Sequence, residues 1–309
     1  MKAVRIYEFG GPEVLKYEDV PEPLPGPGQI QIRVIAAGVN PMDWKIRRGY
    51  ISELSLPTTI GLDVSGIVED TGEGETSFKS GDEVFAKVSI GQVGFAEYTV
   101  TDSTQAARKP KSIGFIESAA IPTAGLAAWQ ALFDIAKLRK GQSVLIHGAS
   151  GGVGTFAVQF AKWKGAHVVG TASEENKEFL MSIGADEVID YKNQQFETLV
   201  SNLDVVLDTI GGDTLERSWG VLKEDGFLVS TVASIHEGIP EKYGVAAKTL
   251  MTTPDGKELA QIAAIIDEQQ IKPIVTTVLP LQEARKAHEM NESRHTRGKI
   301  VLRVLEDSK

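Results

Sequence analysis

A short apolar segment that ends in a glycine-rich turn constrains the fold of this chain more than any other feature. The β-rich segment 143–147 is followed by three glycines within 151–154, and apolar residues then recur with helical spacing over 156–161. A second β-rich segment follows at 167–171. This order predicts a strand, a tight turn and a helix, as in a βαβ unit that binds a dinucleotide. The alternative is a glycine-rich turn in an α/β core that binds no ligand.

The glycines of this turn have separate expected roles. Gly151 would let the backbone approach a pyrophosphate, and Gly154 would let the helix pack closely on the strand. The helix N-terminus would face the negative charge of the phosphates. The residues of the turn that we predict to bind the cofactor are Ser150, Gly151, Gly152, Val153 and Gly154.

The end of the second strand predicts which dinucleotide is bound. Sites for NAD carry an acidic residue about twenty positions after the glycines, where it binds the ribose 2′-hydroxyl. Here the strand ends in Ala172 and Ser173, and Glu174 and Glu175 are expected to begin the next helix, where acidic residues suit the helix dipole. Ser173 would offer a hydroxyl and Lys177 a positive charge to a 2′-phosphate, although a solvated helix lysine is the commoner fate of such a residue. We therefore expect NADP(H), with NADPH favoured over NADH.

Composition excludes several classes of function. Net charge is −10 over 309 residues, which argues against nucleic acid as a partner, because phosphate binding needs a basic surface. No apolar run is long enough to span a bilayer and no signal-peptide pattern begins the chain, so we expect a cytoplasmic protein without a membrane partner. The chain has no cysteine, which excludes disulfides, thiolate zinc sites and cysteine nucleophiles. The five histidines show no ligand spacing, and we expect no metal site.

Two patterns of secondary structure divide the chain. Short alternating segments in the first part predict a partly closed antiparallel barrel, with strands near 2–7, 15–20, 29–36, 63–69, 83–88 and 95–100. After Pro110, helices near 117–121 and 126–133 precede an alternation that predicts a doubly wound parallel sheet, with strands near 143–147, 167–171, 187–190, 204–208 and 226–232. A helix near 257–268, an extended run at 274–278, a helix near 281–290 and a closing strand at 299–304 are predicted to follow.

Several motifs follow each other along the chain at 36–45, 61–66, 81–84, 119–132, 208–211 and 298–302, together with the glycine turn. They cover essentially the whole chain, and in this order they resemble the medium-chain dehydrogenase/reductase superfamily, in its zinc-free quinone oxidoreductase and alkenal/enone reductase branch. The resemblance implies an α/β protein with a GroES-like, partly closed β-barrel catalytic domain and a Rossmann cofactor domain with a doubly wound parallel sheet. We expect the catalytic domain at 1–118, the cofactor domain at 119–252 and a segment that completes the catalytic domain at 253–309. Relatives also suggest a homodimer through an edge strand around 227–232.

The chain departs from the zinc-dependent relatives at the positions that matter for a metal. Those relatives have zinc ligands at the places of Asn40, Leu62 and Thr123, and a proton-relaying hydroxyl at the place of Met42. Leu62 and Met42 cannot replace these groups. The resemblance therefore implies hydride transfer from NADPH, without a metal, to a quinone or to an α,β-unsaturated carbonyl compound such as an enone or enal. The alternative is an NADPH-binding sensor or scaffold protein with little catalytic activity.

Three residues are candidates for catalysis, and each has a structural alternative. Asn40 matches a position that contacts the nicotinamide end of the cofactor in zinc-free relatives, although Asn before Pro41 also favours a turn. Lys45 could donate to a substrate carbonyl or be a solvated lysine. Tyr50 could donate a phenolic proton or pack at the edge of the domain. No residue is a clear general acid, and solvent could supply the proton.

The remaining predicted cofactor contacts lie at the pyrophosphate, near the 2′-phosphate and under the nicotinamide. Thr123 is expected at the pyrophosphate, as is Lys299, which matches a family position in the last segment. Tyr191 resembles a residue near the 2′-phosphate and could instead be a surface aromatic. Thr231 and Ala233 follow a strand end that is expected to pass under the nicotinamide.

Overall fold

The computed structural model describes residues 1–51 and 54–306 of the chain. Its contacts divide it into two compact units. Unit 1 comprises Met1–Leu126, Pro254–Gln269 and the chain from Pro273 onward, and unit 2 comprises Ala127–Thr253 and Gln270–Lys272. The domain bounds expected from the sequence, at 118/119 and 252/253, stay a prediction beside this division.

Strands predominate in the first part of the chain, and strands alternate with helices in the second part. The strands are β1 (Lys2–Ile6), β2 (Lys16–Asp19), β3 (Gln29–Val39), β4 (Thr58–Thr59), β5 (Asp63–Thr71), β6 (Glu83–Lys87), β7 (Tyr98–Asp102), β8 (Ala106–Arg108), β9 (Ser143–His147), β10 (His167–Ala172), β11 (Glu187–Asp190), β12 (Leu203–Asp208), β13 (Leu222–Ser230), β14 (Ala246–Thr249), β15 (Val275–Pro280) and β16 (Lys299–Arg303). The α-helices are α1 (Pro41–Arg47), α2 (Phe115–Ala119), α3 (Pro122–Trp129), α4 (Gly152–Trp163), α5 (Lys177–Ser182), α6 (Asp213–Ser218), α7 (Ile239–Tyr243), α8 (Gly256–Asp267) and α9 (Ala284–Glu292). A π-helical segment, Gln130–Ile135, continues α3.

Unit 1 is built on a largely antiparallel sheet with the order β15-β16-β3-β5-β6-β8, in which β7 also pairs with β3. Among the described residues of this sheet, β15 and β16 form a parallel pair and the other pairs are antiparallel. A smaller sheet has the order β2-β1-β4. The long strand β3 is buried over most of its length because it pairs with three other strands, and its residues Ile30, Ile32 and Val34 belong to the core of this unit. The pairing of β16 with β3 brings the last strand back to the first part of the chain.

Unit 2 contains a parallel sheet with the order β11-β10-β9-β12-β13-β14. The central strand β9 is apolar and fully buried at Val144, Leu145 and Ile146, since helices cover both faces of a parallel sheet. The chain turns outward from β9 in both directions, to β10 on one side and to β12 on the other. This is the topological switch point at which doubly wound sheets bind their ligands.

Two expectations from the sequence are corrected by these elements. The strand around 227–232 is not an edge strand, because β13 is paired with β12 on one side and with β14 on the other. The edge is β14, whose Ala-Ala-Lys-Thr sequence carries no strong β-pattern. The segment after Asn40 is a helix rather than a turn: α1 begins with Pro41 at its first position, where proline is well tolerated.

Within the described part of the chain, no helix is long and apolar enough to cross a membrane.

Candidate functional site

A buried polar network forms around Asp63 in unit 1. The Oδ1 atom of Asp63 accepts hydrogen bonds from the backbone N–H of Thr123 at 2.9 Å and from its hydroxyl at 2.5 Å. Its Oδ2 atom accepts from the amide Nδ2 of Asn40 at 2.9 Å and lies 3.6 Å from the Nζ of Lys299. One carboxylate therefore ties together β5, the start of α3, the start of α1 and the start of β16.

The side chain of Lys299 is buried within this network and forms hydrogen bonds there. Its side chain is 4% exposed, and its Nζ donates to the carbonyl of Val39 at 2.9 Å and to Oδ1 of Asn40 at 2.5 Å. Burial lowers the pKa of Lys299, and the carboxyl groups of Asp63 and Asp43 oppose that change. The predicted contact of Lys299 with a pyrophosphate would require the ammonium to leave these acceptors. The same holds for Thr123, because both of its donors are directed at Asp63.

Asp43 orients Asn40 from the first turn of α1. Its Oδ2 accepts the backbone N–H of Asn40 at 2.7 Å, as in the reciprocal half of a capping box. The side chain is fully buried, and burial raises its pKa to about 8. Its other oxygen, Oδ1, has no hydrogen-bond partner in the described part of the chain. Burial therefore favours the neutral form of Asp43, and Asp63 is the carboxyl group that accepts the hydrogen bonds of the network.

Lys87 lies beside Asp63 at the end of β6. The two residues are direct partners in the antiparallel pair of β5 and β6, so their side chains stand on the same face of the sheet. Lys87 is 7% exposed, and burial lowers its pKa while Asp63 and Asp43 raise it. The described residues provide it with no hydrogen bond and no ion pair. Nothing in the sequence indicated this residue, because a lysine at the end of an alternating strand usually reaches solvent.

The other two catalytic candidates lie on and after α1. Lys45 is half-buried, its Nζ is 5.9 Å from the ring centroid of Trp44, and its pKa is lowered by burial and by the charge of Arg294. Tyr50 is 66% exposed, and its ring meets Trp44 edge-on at a centroid distance of 6.1 Å. The structure thus brings Asn40 into the buried network and leaves Tyr50 at the surface.

The helix that carries these candidates is anchored by a buried arginine that no sequence pattern singles out. Arg47 is fully buried; its Nη2 donates to Glu292 at 2.6 Å and its Nε donates to the carbonyl of Gly10 at 3.2 Å. His288 lies 3.4 Å from Nη1 of Arg47, and burial, reinforced by that arginine, lowers the pKa of His288 to about 3. His288 is therefore neutral at physiological pH, and Glu292 balances the arginine.

The glycine turn in unit 2 has the geometry of a phosphate site. Gly151 caps α4 in an extended conformation, and Gly148 has a positive φ of 67°. A Cβ atom on Gly154 would lie 2.6 Å from the carbonyl oxygen of Ala149 and still closer to that of Gly148, so only glycine fits there. The first-turn N–H groups of α4 lack intrahelical acceptors and stand at the positive end of a twelve-residue helix. This arrangement fits the pyrophosphate of a dinucleotide.

His147 holds the strand end that leads into this turn. Its ring nitrogens lie 3.1 Å from the hydroxyl of Thr171 and 3.0 Å from that of Ser218, and its carbonyl accepts the hydroxyl of Thr209 at 2.7 Å. Burial lowers its pKa to about 4. The neutral imidazole thus links β9 to β10 and α6, and Thr171 in turn accepts the N–H of Ala149 through its carbonyl.

The end of β10 differs from the sequence expectation of a strand tip without a carboxylate. A 3₁₀ turn over Glu174–Asn176 brings Glu175 back to the tip, where its Oε1 accepts the hydroxyl of Ser173 at 2.9 Å. Lys177 is exposed, and its Nζ lies 3.7 Å from Glu174. Tyr191 is more than half exposed just beyond β11. A carboxylate therefore already binds the hydroxyl that was predicted to serve a 2′-phosphate.

Asp208 fixes the loops that follow β12 and β13. Its carboxylate accepts the hydroxyl of Ser230 at 2.8 Å and the N–H of Gly211 at 2.9 Å. Its carbonyl accepts the N–H of Thr231 at 3.0 Å, and the N–H of Ala233 donates to the hydroxyl of Ser230 at 3.1 Å. Thr231 and Ala233 thus lie at the carboxyl end of β13, beside that of β12, on the edge where such sheets bind ligands.

Comparison with known proteins places the chain in a family. The model of the alcohol dehydrogenase GroES-like domain matches residues 26–133, and a model described as zinc-binding dehydrogenase matches residues 183–302. Quinone oxidoreductase of Rattus norvegicus is 34% identical over an alignment that covers 99% of this chain and 97% of that protein. The chain belongs to the medium-chain dehydrogenase/reductase family. Its relatives place it in the quinone oxidoreductase branch, so the resemblance inferred from the motifs is confirmed.

Solved structures of the family agree with the fold. Quinone oxidoreductase of Escherichia coli complexed with NADPH has a TM-score of 0.90 at 29% identity, covering 98% of this chain and 100% of that chain. An NAD-dependent alcohol dehydrogenase has a TM-score of 0.92 at 32% identity, covering 99% of this chain and 100% of that chain. The predicted combination of a GroES-like domain and a Rossmann domain is confirmed. Within the described residues, no cluster of three or more His, Asp or Glu side chains could hold a metal ion.

Proposed function

We propose that this protein is an oxidoreductase that uses NADPH to reduce a quinone or an α,β-unsaturated carbonyl compound without a metal ion. The observation that carries the proposal is the network around Asp63. It links Asn40 and Thr123, which stand at two of the three positions where zinc-dependent relatives have ligands.

The charges of the network argue against a metal at this place. The ammonium of Lys299 already lies 2.5 Å from Oδ1 of Asn40 and 3.6 Å from Asp63, so a divalent cation would meet a resident positive charge. Leu62, at the third position, is buried and offers no ligand atom. The ammonium of Lys299 therefore balances the carboxylate of Asp63, in place of a metal ion.

The glycine turn would hold the cofactor through the backbone N–H groups at the start of α4, with Ser150, Gly151, Gly152, Val153 and Gly154 around the pyrophosphate. NADPH supplies a hydride when bound. The amide of Asn40 donates one N–H to Asp63, and its oxygen accepts a hydrogen bond from Lys299. Its second N–H is left to donate to a polar group of the cofactor or acceptor. Asp43 holds Asn40 in that orientation.

The choice of NADPH over NADH rests on Lys177 and on the NADPH complex of the Escherichia coli relative. The ion pair of Lys177 with Glu174 is exposed and therefore weak, so the lysine can turn to a phosphate. Glu175 at the strand tip opposes this choice by repulsion. Comparing the dissociation constants of NADPH and NADH decides between the two effects, and equal constants would contradict the preference.

The acceptor must be electrophilic in itself, because hydrogen-bond donors rather than a Lewis acid stabilise its developing charge. Quinones, enones and enals meet this condition. The test is NADPH consumption with a panel of these compounds, together with metal analysis of the purified protein. If NADPH binds but no acceptor exceeds the buffer rate, the alternative of a sensor or scaffold protein replaces the enzyme; one zinc per chain would contradict the metal-free proposal.

We also propose a homodimer, with the interface moved to β14. This strand is the edge of the parallel sheet, and it presents an unpaired row of backbone groups that a second copy could continue. Light scattering of the purified chain tests the assembly. A proline at Ala247 would weaken a dimer held by this strand, and a dimer that persists unchanged would exclude this interface.

A further inference from the structure

Lys87 is a buried cation that the network of Asp63 does not bind. It stands directly across the strand pair from Asp63, on the same face of the sheet, with 7% of its surface exposed. Lys299, by comparison, has two hydrogen bonds and one ion pair. In the part of the chain that the structure describes, Lys87 has none of these.

The charges of the cluster leave one positive charge without a partner. Asp63 is balanced by Lys299 at 3.6 Å. Asp43 accepts a single hydrogen bond, and burial raises its pKa to about 8, which favours its neutral form. Asp63 and Asp43 raise the pKa of Lys87, but in the described chain neither carboxyl group forms a hydrogen bond or an ion pair with it. The ammonium of Lys87 is therefore available to an anion that arrives from outside the chain.

The chemistry of the proposed reaction supplies such an anion. Reduction of a quinone or an enone places negative charge on the oxygen of the former carbonyl, giving a phenolate or an enolate. Lys45 is less suited to stabilise the charge on this oxygen because it is only half-buried and lies beside Arg294. Tyr50 is less suited because it is mostly exposed. A donor that is already buried needs little reorganisation when the charge develops.

We propose that the ammonium of Lys87 binds the acceptor oxygen on which negative charge develops, so that unit 1 contains a site for phenolate and enolate oxygens. This inference rests on the proposed function, but its main test does not require turnover. The site takes a single oxyanion on a flat conjugated molecule, and Lys87 contacts that oxygen directly.

The first experiment measures the binding of 4-nitrophenol to the full chain, because the colour of this probe reports its ionised form. We expect the protein to shift the probe toward the phenolate, and Lys87→Met to weaken binding about ten-fold or more, as for the loss of a charged hydrogen bond. Lys87→Arg keeps the charge and should retain part of the affinity. Lys79→Met is the matched control, since Lys79 is exposed and its side chain forms no hydrogen bond or ion pair in the described chain, and this variant should bind the probe as the intact protein does.

A stability measurement separates this role from a structural one. If Lys87 serves only the fold, Lys87→Met lowers the melting temperature; if it awaits an anion, the variant melts at the same or a higher temperature because an unpaired buried charge is gone. A probe that binds Lys87→Met within about two-fold of the intact protein, or that does not bind the intact protein, overturns the proposal.

Kinetics distinguish this proposal from the proposed function. Lys87→Met should lower kcat/KM for a quinone while the dissociation constant of NADPH stays unchanged, since the turn that would hold NADPH belongs to unit 2. If the intact protein reduces no acceptor, the proposed function fails, and the nitrophenolate experiment still decides whether Lys87 binds an oxyanion.

Discussion

Replacing Asp63 with asparagine tests whether one carboxylate holds the polar network of unit 1 together. The substitution preserves the shape of the side chain and removes its charge. Lys299 is then a cation with 4% exposure that keeps only neutral acceptors, the carbonyl of Val39 and Oδ1 of Asn40. In either orientation the N–H groups of the new amide face another donor, the amide of Asn40 or the N–H and hydroxyl of Thr123. Breaking a buried pair by removing one partner costs about 3–5 kcal/mol, and we expect unit 1 to lose stability in this range.

Amide hydrogen exchange followed by mass spectrometry resolves the two units. Peptides from β3, β5 and β16 should exchange about two to four orders of magnitude faster in Asp63→Asn, provided that they exchange through global opening of unit 1. Peptides from β9 and β12 in unit 2 are the internal control and should keep their protection.

A double variant tests the pairing itself. Lys299→Met alone leaves Asp63 as an unpaired buried charge, whereas Asp63→Asn with Lys299→Met removes both charges together. We expect the double variant to be more stable than the sum of the single effects by about 0.5–3 kcal/mol, the range found for residues in direct contact. Additive effects, or exchange of β16 in Asp63→Asn within about ten-fold of the intact chain, would refute the coupling of the two residues.

Three further predictions concern unit 2. Gly154→Ala should destabilise the chain by about 1–3 kcal/mol and weaken NADPH binding, because its Cβ would meet the backbone of the turn, whereas Gly220→Ala, with nothing within 4 Å, should change neither the melting temperature nor the affinity. The pKa of His147 is about 4 in the folded protein and 6.5 in the unfolded chain, so the unfolded state binds more protons between these two pH values. The contribution of His147 to the free energy of unfolding, about 3 kcal/mol, is therefore complete above pH 6.5 and is lost as pH falls through 4. Urea unfolding of His147→Gln should accordingly depend less on pH over that range. Lys177→Ala should weaken NADPH more than NADH, and equal losses for both would remove the 2′-phosphate role.

The parts of the fold that depend on local periodicity were predictable from the sequence. The strand Ser143–His147 has the predicted bounds, because a continuous apolar run between turn residues is typical of a parallel strand buried on both faces. The strand Glu187–Asp190 also has the predicted bounds, although only its two central residues are apolar. The edge strand β14 was not predictable, since an exposed edge needs no apolar pattern. Helix α1 was missed because its Asn-Pro start reads equally well as a turn.

The residues of the candidate site were predictable only where they belong to a recognisable sequence motif. Asn40 and the glycine turn were found in this way. Lys87 and Arg47 carry no such signal, because long cationic side chains are mostly exposed, and burial of their charges depends on partners distant in sequence. Glu174 and Glu175 begin the helical segment that leads into α5, as expected, but the sequence did not indicate that the side chain of Glu175 returns to Ser173.

The charge in the network of unit 1 bears on the direction of the proposed reaction. When Asp43 is neutral and both lysines are protonated, the network together with Lys87 carries one net positive charge, whereas a zinc ion would bring two. One fixed ammonium can stabilise an oxyanion whose charge is delocalised over a conjugated system, but it is a poor substitute for a metal that lowers the pKa of a bound oxygen. Oxidation of a simple alcohol needs such an alkoxide, and reduction of a quinone or enone does not. The same argument predicts that acceptors giving more delocalised anions react faster, and that this trend weakens in Lys87→Met.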